Sequence, residues 1–142
     1  MPVRPAIIPC LRYADAPAAI DFLCEAFGFV RHAVYAEPND PKLIHHAQLI
    51  RDDQMIMLST AVSSEFSTAA PMVSVAEAGG NTQSAYIVID DVDAHAATAR
   101  AAGAQIYMEP KDQEYGGRGY GARDPEGNAW SFGSYDPFAP TR

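Results

Sequence analysis

A chain of 142 residues, 48% hydrophobic and 20% charged, has the size and make-up of one soluble globular domain. Eighteen acidic residues against ten Lys and Arg leave a net charge of −8. With no basic run, this argues against a nucleic-acid partner, which needs clustered cations. No apolar stretch nears the ~18 residues of a membrane span. The start MPVRPAIIPCL lacks a signal peptide's apolar run and cleavage site, so a cytoplasmic protein is expected. Cys10 and Cys24 are too few for a disulfide framework.

Residues 6–13 (AIIPCLRY) read as a strand, with Pro9 pushing it toward an edge. Asp15 is placed to cap a helix with Pro17 in its first turn, and Ile20, Leu23, Cys24 and Phe27 form one apolar face. Gly28 stops it. Residues 29–37 return as a strand and 38–41 (PNDP) form a loop. Residues 44–51 and 54–60 flank Asp52-Asp53 as a hairpin. Residues 61–80, rich in Ala, Ser, Glu and Gly, show no period and read as a linker. A strand is expected over 82–90 and a helix over 92–102, capped by Asp91 and closed by Gly103. A strand over 104–109 and a loop over 110–117 follow. The chain ends in a hairpin of residues 118–123 and 129–132 around Asp124-Pro125-Glu126-Gly127-Asn128, where Asp accepts backbone N–H bonds, Pro fixes φ and Gly supplies positive φ.

The order strand, helix, three strands occurs twice. Asp15 and Asp91, 76 residues apart, cap equivalent helices, and Glu-Pro ends the next strand in each half, at Glu37-Pro38 and Glu109-Pro110. The expected fold class is α+β: one domain over 1–142, with βαβββ modules at 6–60 and 82–135 and a linker at 61–81. Such units bury one sheet face under a helix and leave the other bare, so pairing them, in one chain or across a dimer, curls mixed sheets around a cleft suited to a small ligand.

Three segments, IPCLRYADAPAAIDFLCEAFGF, HAQLIRDDQMIMLS and YGGRGYGARDPEGNAWSF, make the chain resemble the vicinal oxygen chelate superfamily over residues 6–135. That superfamily includes glyoxalase I, bleomycin-resistance and fosfomycin-resistance proteins and extradiol dioxygenases. The resemblance implies paired βαβββ modules around a cleft, and a homodimer. Metal-using members carry histidines seven residues before the helix-capping acid, here Ile8 and Ser84. Their carboxylate stands seven residues after the Asp of the DPxG turn, here Ser131, and the matching place in the first module is near Met57. Alkyl, thioether and hydroxyl groups are poor ligands for such an ion, so neither metal nor cofactor is expected.

Several side chains are candidates for ligand contact. Arg12 shares the face of Ile8 and Cys10, where it would clamp an anion or stand as an edge-strand charge. Cys10 is expected buried and inert, and Cys24 in the core. His45 and His46 point to opposite faces, His46 with Gln48 toward the cleft as a polar contact or general base, or as a hydrogen-bonded structural group. Met57 and Met55 are either pocket wall or strand buried on both faces. Tyr86 offers a stacking ring, and Ser131 the hydroxyl on the cleft face. Tyr115, Arg118 and Tyr120 either close over a ligand on a glycine-rich lip or are ordinary turn residues. Trp130 and Phe132, on the face opposite Ser131, are expected to pack under a helix. Glu109 and Asp112 read as solvated.

The expected function is sequestration of a small organic molecule without metal. The net charge favours cationic guests only modestly, because exposed charge is screened within ~8–10 Å. The alternatives are a metal-dependent lyase, isomerase or dioxygenase of the glyoxalase type, drawing on His46, Glu109 or His32, and a metal-free enzyme using His46 or Tyr115.

Overall fold

The computed structural model of the chain describes residues 2–140. Its elements are β1 (Cys10–Tyr13), α1 (Ala16–Phe27), β2 (Val30–Glu37), β3 (Asp40–Arg51), β4 (Gln54–Thr60), α2 (Glu65–Ala69), α3 (Val75–Ala78), β5 (Ala85–Val88), α4 (Val92–Ala101), β6 (Gln105–Asp112), β7 (Arg118–Arg123) and β8 (Ala129–Gly133). They build two four-stranded sheets, ordered β1-β4-β3-β2 and β5-β8-β7-β6. In each, the first strand pairs parallel with the last and the other pairs are antiparallel. The fold is α+β with mixed sheets. The chain divides into two compact units, one holding the chain up to Ile20 together with Phe29–Met72, the other Asp21–Gly28 and the chain from Val73 onward.

Local chemistry sets the boundaries. Asp15 Oδ1 accepts the N–H of Ala18 at 3.1 Å, and Asp91 Oδ1 that of Ala94 at 3.0 Å, so each carboxylate covers an orphan donor at a helix start. Gly28 and Gly103 end those helices with φ of 79° and 97°. Five expectations are corrected. β1 begins only at Cys10, because Pro9 has no N–H to give; its carbonyl still accepts from Met57 N at 3.0 Å. β3 starts at Asp40, leaving only a turn of the loop expected over 38–41, and β5 is shorter than the expected 82–90. β6 runs through Pro110 to Asp112, its register shifting between Ile106 and Met108 and again between Met108 and Lys111. The linker contains two short helices. Ser64 and Ser67 cap α2 reciprocally, and Ser74 caps α3 by accepting from Glu77 N at 3.1 Å.

In the second unit the core gathers around Phe27. Its ring centroid lies 4.7 Å from that of Phe132 and 5.6 Å from that of Trp130, which come from the buried face of β8. His95, on the buried side of α4, lies 4.5 Å from Phe132. Its Nε2 donates to the Phe27 carbonyl at 2.9 Å, and its Nδ1 meets the Tyr120 hydroxyl at 2.5 Å. Both ring nitrogens are thus engaged inside the core. Asp124 organises the terminal hairpin: Oδ1 takes the N–H groups of Glu126 and Asn128 at 3.1 and 3.0 Å, and Oδ2 takes the Trp130 indole at 3.2 Å. The turn and the largest core side chain are therefore anchored by one carboxylate.

Arg118 opens β7 and is engaged on three sides. It donates to both Asp93 oxygens at 2.9 and 3.0 Å, to Asp112 Oδ1 at 3.3 Å and to the Pro110 carbonyl at 3.3 Å. The hydrogen bonds from Arg118 hold the Asp93 carboxyl below its ordinary range, against a smaller opposing effect of burial.

Two outcomes follow from this packing. Phe27→Ala removes a fully buried ring from an aromatic cluster, and urea unfolding should show a loss of about 3–5 kcal/mol. For Asp93 the lowered value means that its contribution is present above the unfolded carboxyl's titration and is lost as pH falls through the folded one. In Arg118→Gln the Asp93 carboxyl, followed by carbon NMR, should titrate at higher pH than in the wild type, while unfolding at neutral pH changes little because Asp93 is exposed.

Candidate functional site

The pleat of the first sheet sorts side chains into two rows. Ile56, Leu58, Ala47, Leu49 and Tyr13 are buried on one face. Met55, Met57 and Ser59 alternate with them on β4 and stay half-buried on the other. Register sets Cys10 and Gln48 on either side of Met57, and Arg12 beside Ser59. Over part of this open face lies a cavity of ≈ 310 Å³, walled by Cys10, Arg12, His46, Met57 and, from the former linker, Phe66 and Met72. The irregular segment after β4 is thus a wall of the cavity. Val62 accepts a short hydrogen bond from the Arg12 guanidinium, which joins that wall to β1.

Three of the expected contact residues, Arg12, His46 and Met57, come together here. His46 meets Gln48, nitrogen to nitrogen at 3.0 Å, and its ring stacks 6.2 Å from Tyr35. His45 also lines the cavity, but its Nε2 contacts Glu37 Oε2 at 2.8 Å. Cys10 is exposed, which corrects the expectation of a buried thiol: a strand that begins at Cys10 leaves this side chain at a sheet margin. Met57 is not buried on both faces, since β4 alternates.

The other four lie in the second unit. Ser131 stands on the face opposite Trp130 and Phe132, in register with Tyr86 and Gly121, its Oγ 3.3 Å from the Tyr107 hydroxyl. Tyr86 donates to the Tyr135 carbonyl at 2.7 Å; burial, then the neighbouring Tyr115, pushes its hydroxyl up from the ordinary tyrosine value. Both tyrosines on this face lie across glycines. A Cβ at position 133 would fall 2.6 Å from the Tyr86 hydroxyl, and one at position 121 would fall 2.3 Å from the Tyr107 ring. Tyr115 is 63% exposed and meets Tyr135 edge to face at 5.0 Å. Arg118 is tied to Asp93, Asp112 and Pro110 as described above, and Tyr120 is buried against His95. Neither belongs to the loop before β7, a correction with one cause: both stand in a central strand, two residues apart on one face, where Tyr120 is buried. Asp112 and Glu109 are exposed but paired, with Arg118 and Arg100. A shallow hollow of ≈ 410 Å³ beside Asp90, Asp91 and Asp93 has Arg118 as its cation, already paired with Asp93 and Asp112.

Phe66, Met72, Tyr107 and His95 escaped the sequence reading. For the linker a signal existed: Ser74-Val75-Ala76-Glu77 has the Ser-x-x-Glu form of a capping box. His95 sat among alanines, which hides a face.

Where the resemblance puts the ligands of metal-using members, this chain has Ile8, Ser84 and Ser131, and Met57 near the fourth place. Their alkyl, thioether and hydroxyl groups do not fit a catalytic divalent ion. Among the described residues, no group of three or more His, Cys, Asp or Glu side chains is arranged to hold one.

The sequence profile of the Glyoxalase/Bleomycin resistance protein/Dioxygenase superfamily matches residues 7–132. An uncharacterized protein of Mycobacterium bovis is 34% identical over 131 residues, 92% of this chain and 84% of its own length. One from Mycobacterium tuberculosis shares 34% over the same span and 75% of its own length. Of solved structures, TioX from Micromonospora sp. ML1 aligns with a TM-score of 0.69 and 29% identity, over 92% of this chain and 98% of that one. Glyoxalase I from Zea mays aligns at 0.67 and 20% identity, over 89% of this chain and 43% of its own, a likeness of fold alone. With its sequence matched from Ile7 to Phe132 and its βαβββ order repeated, this chain belongs to the Glyoxalase/Bleomycin resistance protein/Dioxygenase superfamily.

Proposed function

We propose that the protein binds a small organic molecule in the cavity of the first unit, without a metal ion. The observation that carries this reading is the composition of that cavity. Met57, Phe66 and Met72 supply an adaptable apolar wall, and Arg12 and His46 supply convergent polar groups. A volume of ≈ 310 Å³ stands at the lower end of small-molecule sites. Catalysis has less support: His46 is engaged with Gln48 rather than with a second acid or base, and the ligand positions of metal-using relatives carry no suitable donors. The protein is further proposed to act as a cytoplasmic homodimer with no nucleic-acid or membrane partner. The exposed Val30, Val34 and Tyr35 on edge strand β2 support self-association. No helix among the described residues is long and apolar enough to cross a membrane.

A thermal-shift screen of metabolites and antibiotics tests the binding reading. A true ligand at a hundred times its Kd should stabilise the protein by about 2.7 kcal/mol. Met57→Asp, which puts a charge into the apolar wall, should weaken that ligand at least tenfold, and dialysis against EDTA should leave affinity unchanged. Stoichiometric Ni, Zn, Mn or Fe in protein purified without chelator, with binding lost on its removal, would replace this reading by the metal-dependent one.

A further inference from the structure

We infer that the molecule taken by this cavity is an organic oxyanion, an apolar or aromatic body carrying one carboxylate, sulfonate or similar group. This rests on reading the cavity as the ligand site and adds the chemical class. The chain has eighteen acidic residues against ten Lys and Arg, so an arbitrary patch of its surface should carry carboxylates. The cavity lining carries none. Its charged or titratable side chains are Arg12, His45, His46 and the Cys10 thiol. A cavity that is cationic inside an anionic protein selects its guest by local contact, since charge beyond ~8–10 Å is screened.

Arg12 is the principal anion-binding group. It is half-buried in β1, beside Ser59 of β4, and one N–H is spent on the Val62 carbonyl. A guanidinium has five N–H donors in a rigid fork that matches two oxygens of one acid group. The bond to Val62 holds that fork in place before any guest arrives, which lowers the ordering cost of binding. His46 is the second donor. When Gln48 gives its amide N–H to Nε2, the neutral ring carries its proton on Nδ1. His45 contributes little, because the Glu37 carboxylate already faces its ring at 2.8 Å. Phe66 and Met72 are both exposed and border the cavity, an apolar margin for the body of the guest.

A pair of probes with one body separates the contributions. 8-Anilinonaphthalene-1-sulfonate and N-phenyl-1-naphthylamine share the anilinonaphthalene frame, and only the first carries a sulfonate. Both are titrated by fluorescence at constant ionic strength against wild type, Arg12→Gln, Arg12→Lys and Phe66→Ala. The quantity read is the ratio of sulfonate to neutral-probe affinity. Arg12→Gln should lower this ratio about tenfold or more, the range of hydrogen bonds to a charged group. Arg12→Lys should restore part of it, and Phe66→Ala should weaken both probes alike. A ratio unchanged by Arg12→Gln, or both probes weakened equally because the Val62 segment has shifted, overturns the oxyanion class and leaves the binding reading standing. Failure of both probes to bind wild type, or binding indifferent to Phe66→Ala and Arg12→Gln alike, overturns the ligand site itself.

Discussion

Backbone pleating is the constraint on which both the core and the candidate site depend. Successive side chains on a strand must face opposite ways, so every residue committed to packing commits its neighbour to the open face. Ile56 and Leu58 are buried, and Met57 is thereby placed in the wall of the cavity. Trp130 and Phe132 pack against Phe27, and Ser131 is thereby turned away with Tyr86 beside it in register. A one-residue slip of β4 or β8 would exchange the core face for the open face throughout the strand. The bulges that do occur sit in the β2–β3 and β6–β7 pairs, away from those two strands.

Register in the second unit is reinforced by polar groups buried in the core. His95 holds Tyr120 through one ring nitrogen and the Phe27 carbonyl through the other. A residue of β7, a residue of α4 and the C-terminal end of α1 therefore meet at one side chain. An apolar replacement of similar size would fill the space but leave the Phe27 carbonyl and the Tyr120 hydroxyl without these bonds, a cost well above that of the lost ring contacts. Asp124 acts in the same way at the other end of the sheet, where turn N–H groups and the Trp130 indole converge on a single carboxylate. Apolar contact supplies the bulk of the packing, and these two groups select one arrangement of it.

Much of this was legible in the sequence wherever the signal is local and periodic. Asp15, Gly28, Asp91 and Gly103 mark helix ends by backbone chemistry that needs no tertiary partner, and the terminal hairpin follows from its turn residues. The alternation in β4 and β8 likewise placed Met57 and Ser131 opposite buried neighbours. What was not legible depends on residues far apart in the chain. Nothing near Arg118 indicates that Asp93, 25 positions away, engages it, so a glycine-flanked arginine read as a possible ligand contact. Tyr120 read as part of the same lip because its partner His95 lies on another element. Phe66 and Met72 were hidden for a different reason. They lie in a segment without period, and only the fold sets such a segment against an open sheet face.

Net charge misleads about the proposed guest for a related reason. A total of −8 describes the whole surface, whereas binding is decided within a few ångströms, where screening is weakest and groups are partly desolvated. In the cavity the relevant charges are those of its own lining, and there Arg12 faces no lining carboxylate. Several carboxylates elsewhere are instead occupied: Glu37 by His45, Asp93 and Asp112 by Arg118, Glu109 by Arg100. Arg12 differs in being held by a neutral carbonyl, which orients a guanidinium without neutralising it. An arginine paired with an acid has its charge already answered, whereas one positioned by a backbone oxygen keeps its charge for a guest. That difference in partner, more than the count of charges, separates the Arg12 cavity from the hollow beside Arg118.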